Sequence, residues 1–229
     1  MSARLGRPRL HHRVTDSTST MARALASAGA PHGTLVTAGQ QRAGRGRQGR
    51  TWSAPAGSAL LMSLVLREWP PLVPIAGALA IADIAGRDAT IKWPNDVLLD
   101  GRKLAGVLGE STQEGWAVLG IGVNVAVRVQ DLPAELHDRA ASLDLEPAAL
   151  EPTLEALLRA LERRLAQPTG DMLADLRTRD ALRGRRVRWA AGEGVACGID
   201  DRGRLLVQGA GADPTALDAG EVHLLAETY

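Results

Sequence analysis

Residues 39–50 combine four arginines with closely spaced glycines, and they are the first candidate for chemistry in this sequence. Guanidinium groups offer planar pairs of donors that match phosphates and carboxylates. Glycines let the backbone approach a ligand closely. The combination predicts a site for a polyanion. On composition alone, the alternative is a loop that is merely solvated or that binds RNA.

The position of this segment in the chain favours the first interpretation. Residues 39–57 are a polar stretch between two short apolar runs, residues 34–38 and 59–67, which we predict to be strands. Because both ends are tethered to core elements, the segment can fold over a site as a lid.

A second polar segment is Lys92-Trp93-Pro94-Asn95-Asp96, at the end of a predicted strand. Pro94 restricts the residue before it to an extended conformation and so fixes where Asn95 and Asp96 point. The alternative is an Asx-type turn, in which these two side chains satisfy only local backbone groups.

Two further apolar strands also carry a polar group. Lys103 begins a strand that contains Gly106, and Asn124 closes the run Gly120-Ile121-Gly122-Val123-Asn124. A single lysine at the start of a strand is usually solvated. Four such segments in one domain indicate one shared pocket instead.

Composition restricts the classes of function. Lys plus Arg (27) and Asp plus Glu (26) nearly cancel, so the chain lacks the strong positive field of non-specific nucleic-acid binders, and any anion site is local. Cys197 is the only cysteine in the sequence; it excludes an intramolecular disulfide, and we expect it to be buried. No apolar run has the length of a signal peptide or a membrane span, so we expect a soluble, cytoplasmic protein.

The elements that must position these groups predict an α+β fold. Residues 16–20 have the side chains of a helix N-cap, and the dipeptide Asp100-Gly101 predicts a hairpin between runs 97–99 and 104–108. Further predicted elements are a buried helix at residues 72–86, a buried strand at 116–127, and helices at 147–166 and 171–182.

The pattern changes after residue 182. Short strands at residues 187–189, 194–199 and 205–207 are separated by turns, which predicts a small β-barrel with residues 209–220 as a surface loop. A length of 229 residues fits one main domain with such an appendage. We therefore divide the chain into residues 1–182 and 183–229.

Taken together, the motifs resemble those of biotin–protein ligases in order and spacing, over about residues 15–127. The resemblance implies a mixed β-sheet flanked by helices, as in class II aminoacyl-tRNA synthetases and lipoate–protein ligases, with a small C-terminal SH3-like β-barrel. A fold that several enzymes share does not decide which acyl group is used. The motifs are Asp16-Ser17-Thr18, Gly44-Arg45-Gly46-Arg47-Gln48-Gly49-Arg50, Lys92-Trp93-Pro94-Asn95-Asp96, Lys103-Leu104-Ala105-Gly106 and Gly120-Ile121-Gly122-Val123-Asn124.

The resemblance also implies an activity, that of a biotin–[acetyl-CoA-carboxylase] ligase. Such an enzyme uses ATP to convert biotin to biotinoyl-5′-AMP with release of pyrophosphate. It then transfers biotin to a lysine of the biotin carboxyl carrier domain of a biotin-dependent carboxylase. Some members carry an N-terminal DNA-binding domain, but Ser17 and Thr18 stand so near the start of this sequence that we expect none and no DNA partner. We expect a monomer or weak homodimer, with no membrane partner.

The resemblance implies roles for individual residues. Biotin would be bound by Ser17, Thr18, Ser19, Gln41, Arg45, Gly46, Arg47, Lys103 and Gly106. ATP would be bound by Arg45, Arg50, Trp52, Lys92, Asn95, Lys103 and Asn124. The catalytic residues would be Lys103, Arg47 and Asp96, with Asp96 as the candidate base for the acceptor lysine. Mg²⁺ would arrive with the nucleotide, without direct protein ligands.

One feature of the family is missing, because residues 128–143 contain no aromatic residue to stack on adenine. Two other functions stay open. A lipoate–protein ligase or octanoyltransferase would have the same fold, and an RNA-binding protein would use the arginine-rich loop without turning over ATP.

Overall fold

A large mixed sheet, a smaller antiparallel sheet and four α-helices make up the part of the chain that the computed structural model describes, residues 5–69, 72–111, 115–211, 213–218, 220 and 222–225. The helices are α1 (Thr18–Ser27), α2 (Val73–Ala85), α3 (Leu150–Leu165) and α4 (Thr169–Thr178). Among these described helices, none has the length and apolar character that crossing a membrane requires.

The strands are numbered in chain order. The first nine are β1 (Arg9–His12), β2 (Leu35–Ala38), β3 (Gly44–Arg45), β4 (Thr51–Trp52), β5 (Ala59–Leu66), β6 (Thr90–Lys92), β7 (Asp96–Leu99), β8 (Arg102–Ser111) and β9 (Ala117–Asn124). The remaining strands in the described residues are β10 (Arg186–Trp189), β11 (Gly192–Ile199), β12 (Leu205–Gln208), β13 (Thr215–Leu217) and β14 (His223–Leu224).

The large sheet has the strand order β1-β2-β5-β9-β8-β7-β6. Strands β1 and β2 are parallel, and the other neighbours are antiparallel. Successive side chains of a strand point to opposite faces. Accordingly, Leu64 joins the core formed with α2 and α3, whereas its neighbour Val65 joins a cluster with Ala22 and Ala26 of α1. Helices on both faces confirm the predicted α+β class.

Most predicted elements are present, with bounds that differ by a few residues. Helix α1 is capped as expected, since the Ser17 hydroxyl accepts a hydrogen bond from the Thr20 amide at 3.4 Å. Asp100 and Gly101 have φ values of +50° and +73°, the left-handed conformations that a two-residue hairpin needs. The predicted helix over residues 171–182 is wrong at its end, because α4 stops at Thr178 and the next residues pair with the backbone of Ile91.

The sequence pattern missed strand β1. Its polar residues Arg9, His11 and His12 do not produce an apolar alternation. Because β1 is an edge strand, only one of its sides pairs with a neighbour, β2. Arg9 Nη2 also donates to Glu151 Oε2 of α3 at 3.0 Å, which ties this edge to the helix layer.

The smaller sheet has the order β13-β12-β11-β10-β14, with antiparallel pairing throughout. In the described residues, β13 and β14 remain its two edges, so the closed barrel that we predicted is not confirmed. Strand β13 lies within the predicted surface loop 209–220, of which residues 212 and 219 lie outside the described part.

The hydrophobic core runs without interruption from the large sheet into the smaller one, where it includes Val187, Leu205 and Val207. The division of the chain at residue 182 stays a prediction, and residues 1–4 and 226–229 of the two predicted domains lie outside the described part. The expected burial of Cys197 is wrong. Strand β11 turns Ala196 inward, and the next side chain, Cys197, faces solvent.

Arg164 joins three helices beneath the large sheet. Its side chain is only 14% exposed, and from α3 it donates to Asp83 of α2 (Nε–Oδ2 2.8 Å, Nη2–Oδ1 2.7 Å) and to Asp175 of α4. Hydrogen bonds from Gln167 and Arg164 lower the pKa of Asp175 below its ordinary value. The ionised carboxylate of Asp175 therefore stabilises the folded protein above its unfolded pKa, and this contribution is lost as the pH falls through the lowered value.

We predict that Arg164→Ala lowers the free energy of unfolding by about 3 kcal/mol, because it leaves the largely buried Asp83 carboxylate without its main partner. The urea midpoint measures this loss. Arg159→Ala on the same helix is the control, since its pair with Glu155 is exposed and should contribute less than about 0.5 kcal/mol. The difference in free energy of unfolding between wild type and Arg164→Ala should become smaller at acid pH, as Asp175 is protonated. A difference that does not change with pH would contradict the role of Asp175.

Candidate functional site

The arginine-rich segment folds as a short hairpin over the large sheet. Strand β3 pairs with β4, with Gly44 opposite Trp52, and a 3-10 turn over Arg47–Gly49 joins them. A Cβ atom on Gly44 would lie 2.4 Å from the carbonyl oxygen of Trp52. The two strands can therefore approach only because residue 44 is glycine. The predicted polar lid is a folded hairpin rather than an irregular loop.

The hairpin rests on the sheet through Trp52. Gly106 of β8 and Gly122 of β9 are direct partners across the two strands. A Cβ atom at Gly122 would lie 2.6 Å from Trp52 Cε2, and one at Gly106 would lie 3.2 Å from Cζ3. The indole ring thus occupies the space that two side chains would fill. Its Nε1–H group is buried against the sheet without a hydrogen-bond partner among the described residues.

Lys103 lies beside the same ring. Its Nζ atom is 5.6 Å from the centroid of Trp52, within the range of a cation–π contact. It is also 2.7 Å from Asp96 Oδ1. The Lys103 side chain is 38% exposed, so its charge remains accessible to a ligand. The structure therefore brings together Lys103, Asp96, Trp52 and Gly106.

Asn95 connects the hairpin to β8. Its side-chain Nδ2 donates to the backbone carbonyl of Val107 at 2.8 Å, and its backbone carbonyl accepts from the Val107 amide at 2.9 Å. These bonds leave Oδ1 to accept from Arg47 Nη1 at 3.1 Å. Asn95 thus does more than satisfy a local turn, because it fixes an arginine of the hairpin.

A cluster of hydroxyl groups lies at the start of α1. The Thr18 amide and hydroxyl both donate to Gln41 Oε1, at 2.7 and 3.0 Å. Ser63 donates to Thr18 Oγ1 at 2.9 Å and lies 3.1 Å from Ser19 Oγ. Ser17, Thr18, Ser19 and Ser63 are all buried. Thr18, Ser19 and Gln41 therefore form one connected network through Ser63, beside the Ser17 cap.

A cavity of about 400 Å³ lies between the hairpin and the sheet. Its charged lining residues are Arg45, Arg47, Glu110 and Asp218. Arg45 and Glu110 form an ion pair in this wall, and a polyanion can take the place of the carboxylate beside Arg45. The other lining residues are Gly46, Gln48, Gly49, Pro74, Pro94, Asn95, Val107, Leu108 and Gly109.

Three more of the predicted site residues are Arg50, Lys92 and Asn124. Arg50 is exposed directly after the 3-10 turn of the hairpin, where its carbonyl accepts from the Gly46 amide at 2.7 Å, and Lys92 is half-buried at the end of β6. Asn124 is buried, and its Nδ2 donates to the carbonyl of Ala141 at 2.9 Å. The neighbouring Ala140 pairs with Lys103, so Asn124 lies near the lysine through this loop.

Sequence reasoning missed Ser63, Glu110 and Asp218. Ser63 and Glu110 could have been found, because each is a polar residue inside a mostly apolar strand. Asp218 carries no such signal, since only the packing of the smaller sheet brings it to the cavity.

Comparisons with known proteins agree with this arrangement. Residues 11–126 match the biotin/lipoate A/B protein ligase family. The chain is 37% identical to the biotin–[acetyl-CoA-carboxylase] ligase of Mycobacterium tuberculosis, over 91% of this chain and 85% of that protein. It is 40% identical to the bifunctional ligase/repressor BirA of Bacillus subtilis over 61% of this chain and 47% of BirA, so it spans about half the length of that relative.

The fold is also that of a solved structure. The biotin protein ligase from Aquifex aeolicus, in complex with biotin and ATP, superposes with a TM-score of 0.81 at 24% identity, over 96% of this chain and 99% of that one. At this identity the similarity establishes the fold.

We predict that Gly122→Ala displaces Trp52 and lowers the free energy of unfolding by about 1–3 kcal/mol, the usual cost of overpacking. Urea unfolding measures the change. In a Trp52→Ala background the same substitution should cost much less, because the ring it collides with is absent.

Gly170→Ala is the matched control. Nothing lies within 4 Å of a Cβ atom at Gly170 in α4, and alanine is favoured over glycine in a helix by about 1 kcal/mol. This variant should be neutral or stabilised. If Gly122→Ala lowered the free energy of unfolding equally with and without Trp52, the packing of the indole ring on Gly122 would be contradicted.

Proposed function

This chain belongs to the biotin/lipoate A/B protein ligase family, and on that basis we propose that it is an ATP-dependent biotin–protein ligase. It joins biotin to ATP as biotinoyl-5′-AMP and transfers the biotinoyl group to a lysine of a biotin carboxyl carrier domain. The name of the Mycobacterium tuberculosis relative supports a biotin-dependent carboxylase as the partner. The observation that carries the proposal is the hairpin, which lies over Lys103 and Asn95 on a floor of two glycines.

The first step must overcome repulsion between two anions. A carboxylate oxygen of biotin attacks the α-phosphorus of ATP, the bond to the β-phosphate bridging oxygen breaks, and pyrophosphate leaves. Lys103 supplies a positive charge where the carboxylate meets the phosphate, and such a fixed charge is worth most where the charges of the transition state develop. Asp96, 2.7 Å away, holds the ammonium group in place.

In the second step, the amine of the acceptor lysine attacks the acyl carbon, and AMP leaves as the amide forms. A free lysine has a pKa of about 10.4, so it needs a group that orients it and takes its proton. We assign this role to Asp96, whose side chain is 18% exposed at the edge of the site. Arg47, held by Asn95, would keep the hairpin over the anhydride and exclude water.

For ATP, we assign the phosphates to Arg45 and Arg50 of the hairpin and to Lys92. The carboxylates at the cavity, Glu110 and Asp218, each have an arginine within 4 Å, so they do not form a cage for a metal ion. The residues present therefore fit Mg²⁺ that is carried by the nucleotide phosphates and neutralises their charge. The proposed nucleotide residues are Arg45, Arg50, Trp52, Lys92, Asn95, Lys103 and Asn124.

For biotin, we assign the polar ureido group to the network around Thr18 and Gln41, with Ser17 and Ser19. The backbone of Gly46 and the side chains of Arg45 and Arg47 would close over it, and we assign its tail to Lys103 and Gly106. This network favours biotin over lipoate, because a dithiolane ring has no groups to pair with buried hydroxyls and amides.

We further propose that residues 183–229 form an SH3-like small domain, supported by its five antiparallel strands. A cytoplasmic monomer or weak homodimer without a DNA partner completes the proposal.

Intact mass of the carrier tests the function. After incubation with ATP, biotin and a carrier domain, we expect the carrier to gain one biotinoyl group. Omission of ATP, or a carrier with its acceptor lysine replaced by arginine, should abolish the gain. A gain with lipoate but not with biotin would point to the lipoate branch of the family, and salt-dependent RNA binding without any gain would reject a ligase.

We predict that Lys103→Ala slows biotin-dependent pyrophosphate release by about 10²-fold or more, the scale of losing one electrostatic donor to a transition state. Arg102→Ala is the matched control, because it removes an exposed positive charge one residue away and should leave the rate close to that of wild type. Near-normal pyrophosphate release from Lys103→Ala would remove Lys103 from the mechanism.

A further inference from the structure

Glu110 lies under the hairpin and is shared by two arginines. Both terminal nitrogens of the Arg45 guanidinium contact its carboxylate, with Nη2 at 2.9 Å from Oε1 and Nη1 at 3.4 Å from Oε2. Arg23 of α1 approaches the same carboxylate, with Nη1 at 3.3 Å from Oε1. The Glu110 side chain is 15% exposed and lines the cavity. A carboxylate so far removed from water needs its positive partners.

The charges of the hairpin explain what Glu110 does there. Residues 42–52 contain four arginines and no acidic residue, so the hairpin repels itself unless anions balance it. Glu110, the second-last residue of β8, provides one such anion. A phosphate group offers Arg45 a pair of acceptor oxygens, as the carboxylate does. Glu110 and a polyphosphate therefore compete for one guanidinium group.

We propose that Glu110 is a positioning residue, which holds Arg45 on the sheet in the ligand-free protein and releases it to the phosphates of the nucleotide. Arg23 has a complementary role, because it still pairs with the Glu110 carboxylate after Arg45 moves to the phosphates. The identity of the anion rests on the proposed function, whereas the docking of the hairpin by Glu110 does not.

Substitution of Glu110 and substitution of Arg23 should change the affinity for ATP in opposite directions. Glu110→Gln keeps the shape but removes the competing charge, so ATP should bind more readily. Arg23→Gln leaves Glu110 to Arg45 alone, so ATP should bind less readily. If the contact were only structural, both variants should bind ATP less readily than the wild type.

Limited trypsin digestion tests the docking without any activity. Trypsin cleaves after arginine, and intact mass locates cuts at Arg42, Arg45, Arg47 or Arg50. Glu110→Gln should raise the rate of these cuts about threefold in the ligand-free protein, the size expected for a partly exposed charge pair. Glu193→Gln is the matched control, because Glu193 is also shared by two arginines, Arg186 and Arg188, on the smaller sheet. Equal rates in Glu110→Gln and Glu193→Gln would overturn the proposal.

The KM for ATP in biotin-dependent pyrophosphate release tests the competition. We expect it to fall about threefold in Glu110→Gln and to rise by a similar factor in Arg23→Gln, with kcat changed less. The effect of Arg23→Gln should vanish in the Glu110→Gln background. A rise of KM in both single variants would overturn the proposal. Absence of pyrophosphate release from the wild type would instead refute the proposed function, and the digestion would still decide the role of Glu110.

Discussion

Gly106 and Gly122 face each other across two neighbouring strands, and the indole ring of Trp52 lies on the flat surface that they leave. A methyl group at Gly122 would already overlap the ring. The hairpin can lie on the sheet only because these two positions in otherwise apolar strands have no side chain. The docked hairpin has Arg45 beside Glu110 of β8 and Arg47 beside Asn95, the residue that precedes β7.

Charge is arranged locally in a chain whose total charge is nearly zero. Three polar contacts hold the site: Lys103 with Asp96, Arg47 with Asn95, and Arg45 with Glu110. Each of these three positive groups has a polar partner, so an anionic ligand that binds them would exchange partners rather than meet bare charges. The Glu110 carboxylate also reduces the repulsion between Arg45 and the neighbouring arginines. The network around Thr18 and Gln41 is uncharged by contrast.

The smaller sheet takes part in this arrangement. Trp93 Nε1 donates to the carbonyl of Gly203 at 2.9 Å, which fixes the segment leading to Asn95. Gly203 has a φ of +79°, and a Cβ atom there would lie 2.7 Å from Leu72 at the start of α2. The same sheet brings Asp218 to the wall of the cavity. The C-terminal strands therefore buttress the site as well as completing the core.

The sequence by itself determined the elements whose causes are local. The cap at Ser17 and the Asp100-Gly101 turn follow from backbone preferences, and strands β5 and β9 follow from short, continuous apolar runs. The order of the polar motifs indicated one site. Only the tertiary structure decided the partners. Glu110 is 65 residues from Arg45, and Asn95 is 48 residues from Arg47. Edge strand β1 and the outward face of Cys197 were also beyond local reasoning. A sequence states which groups are available, but which of them lie within hydrogen-bonding distance depends on how the sheets and helices pack, since packing joins segments that are remote in the chain.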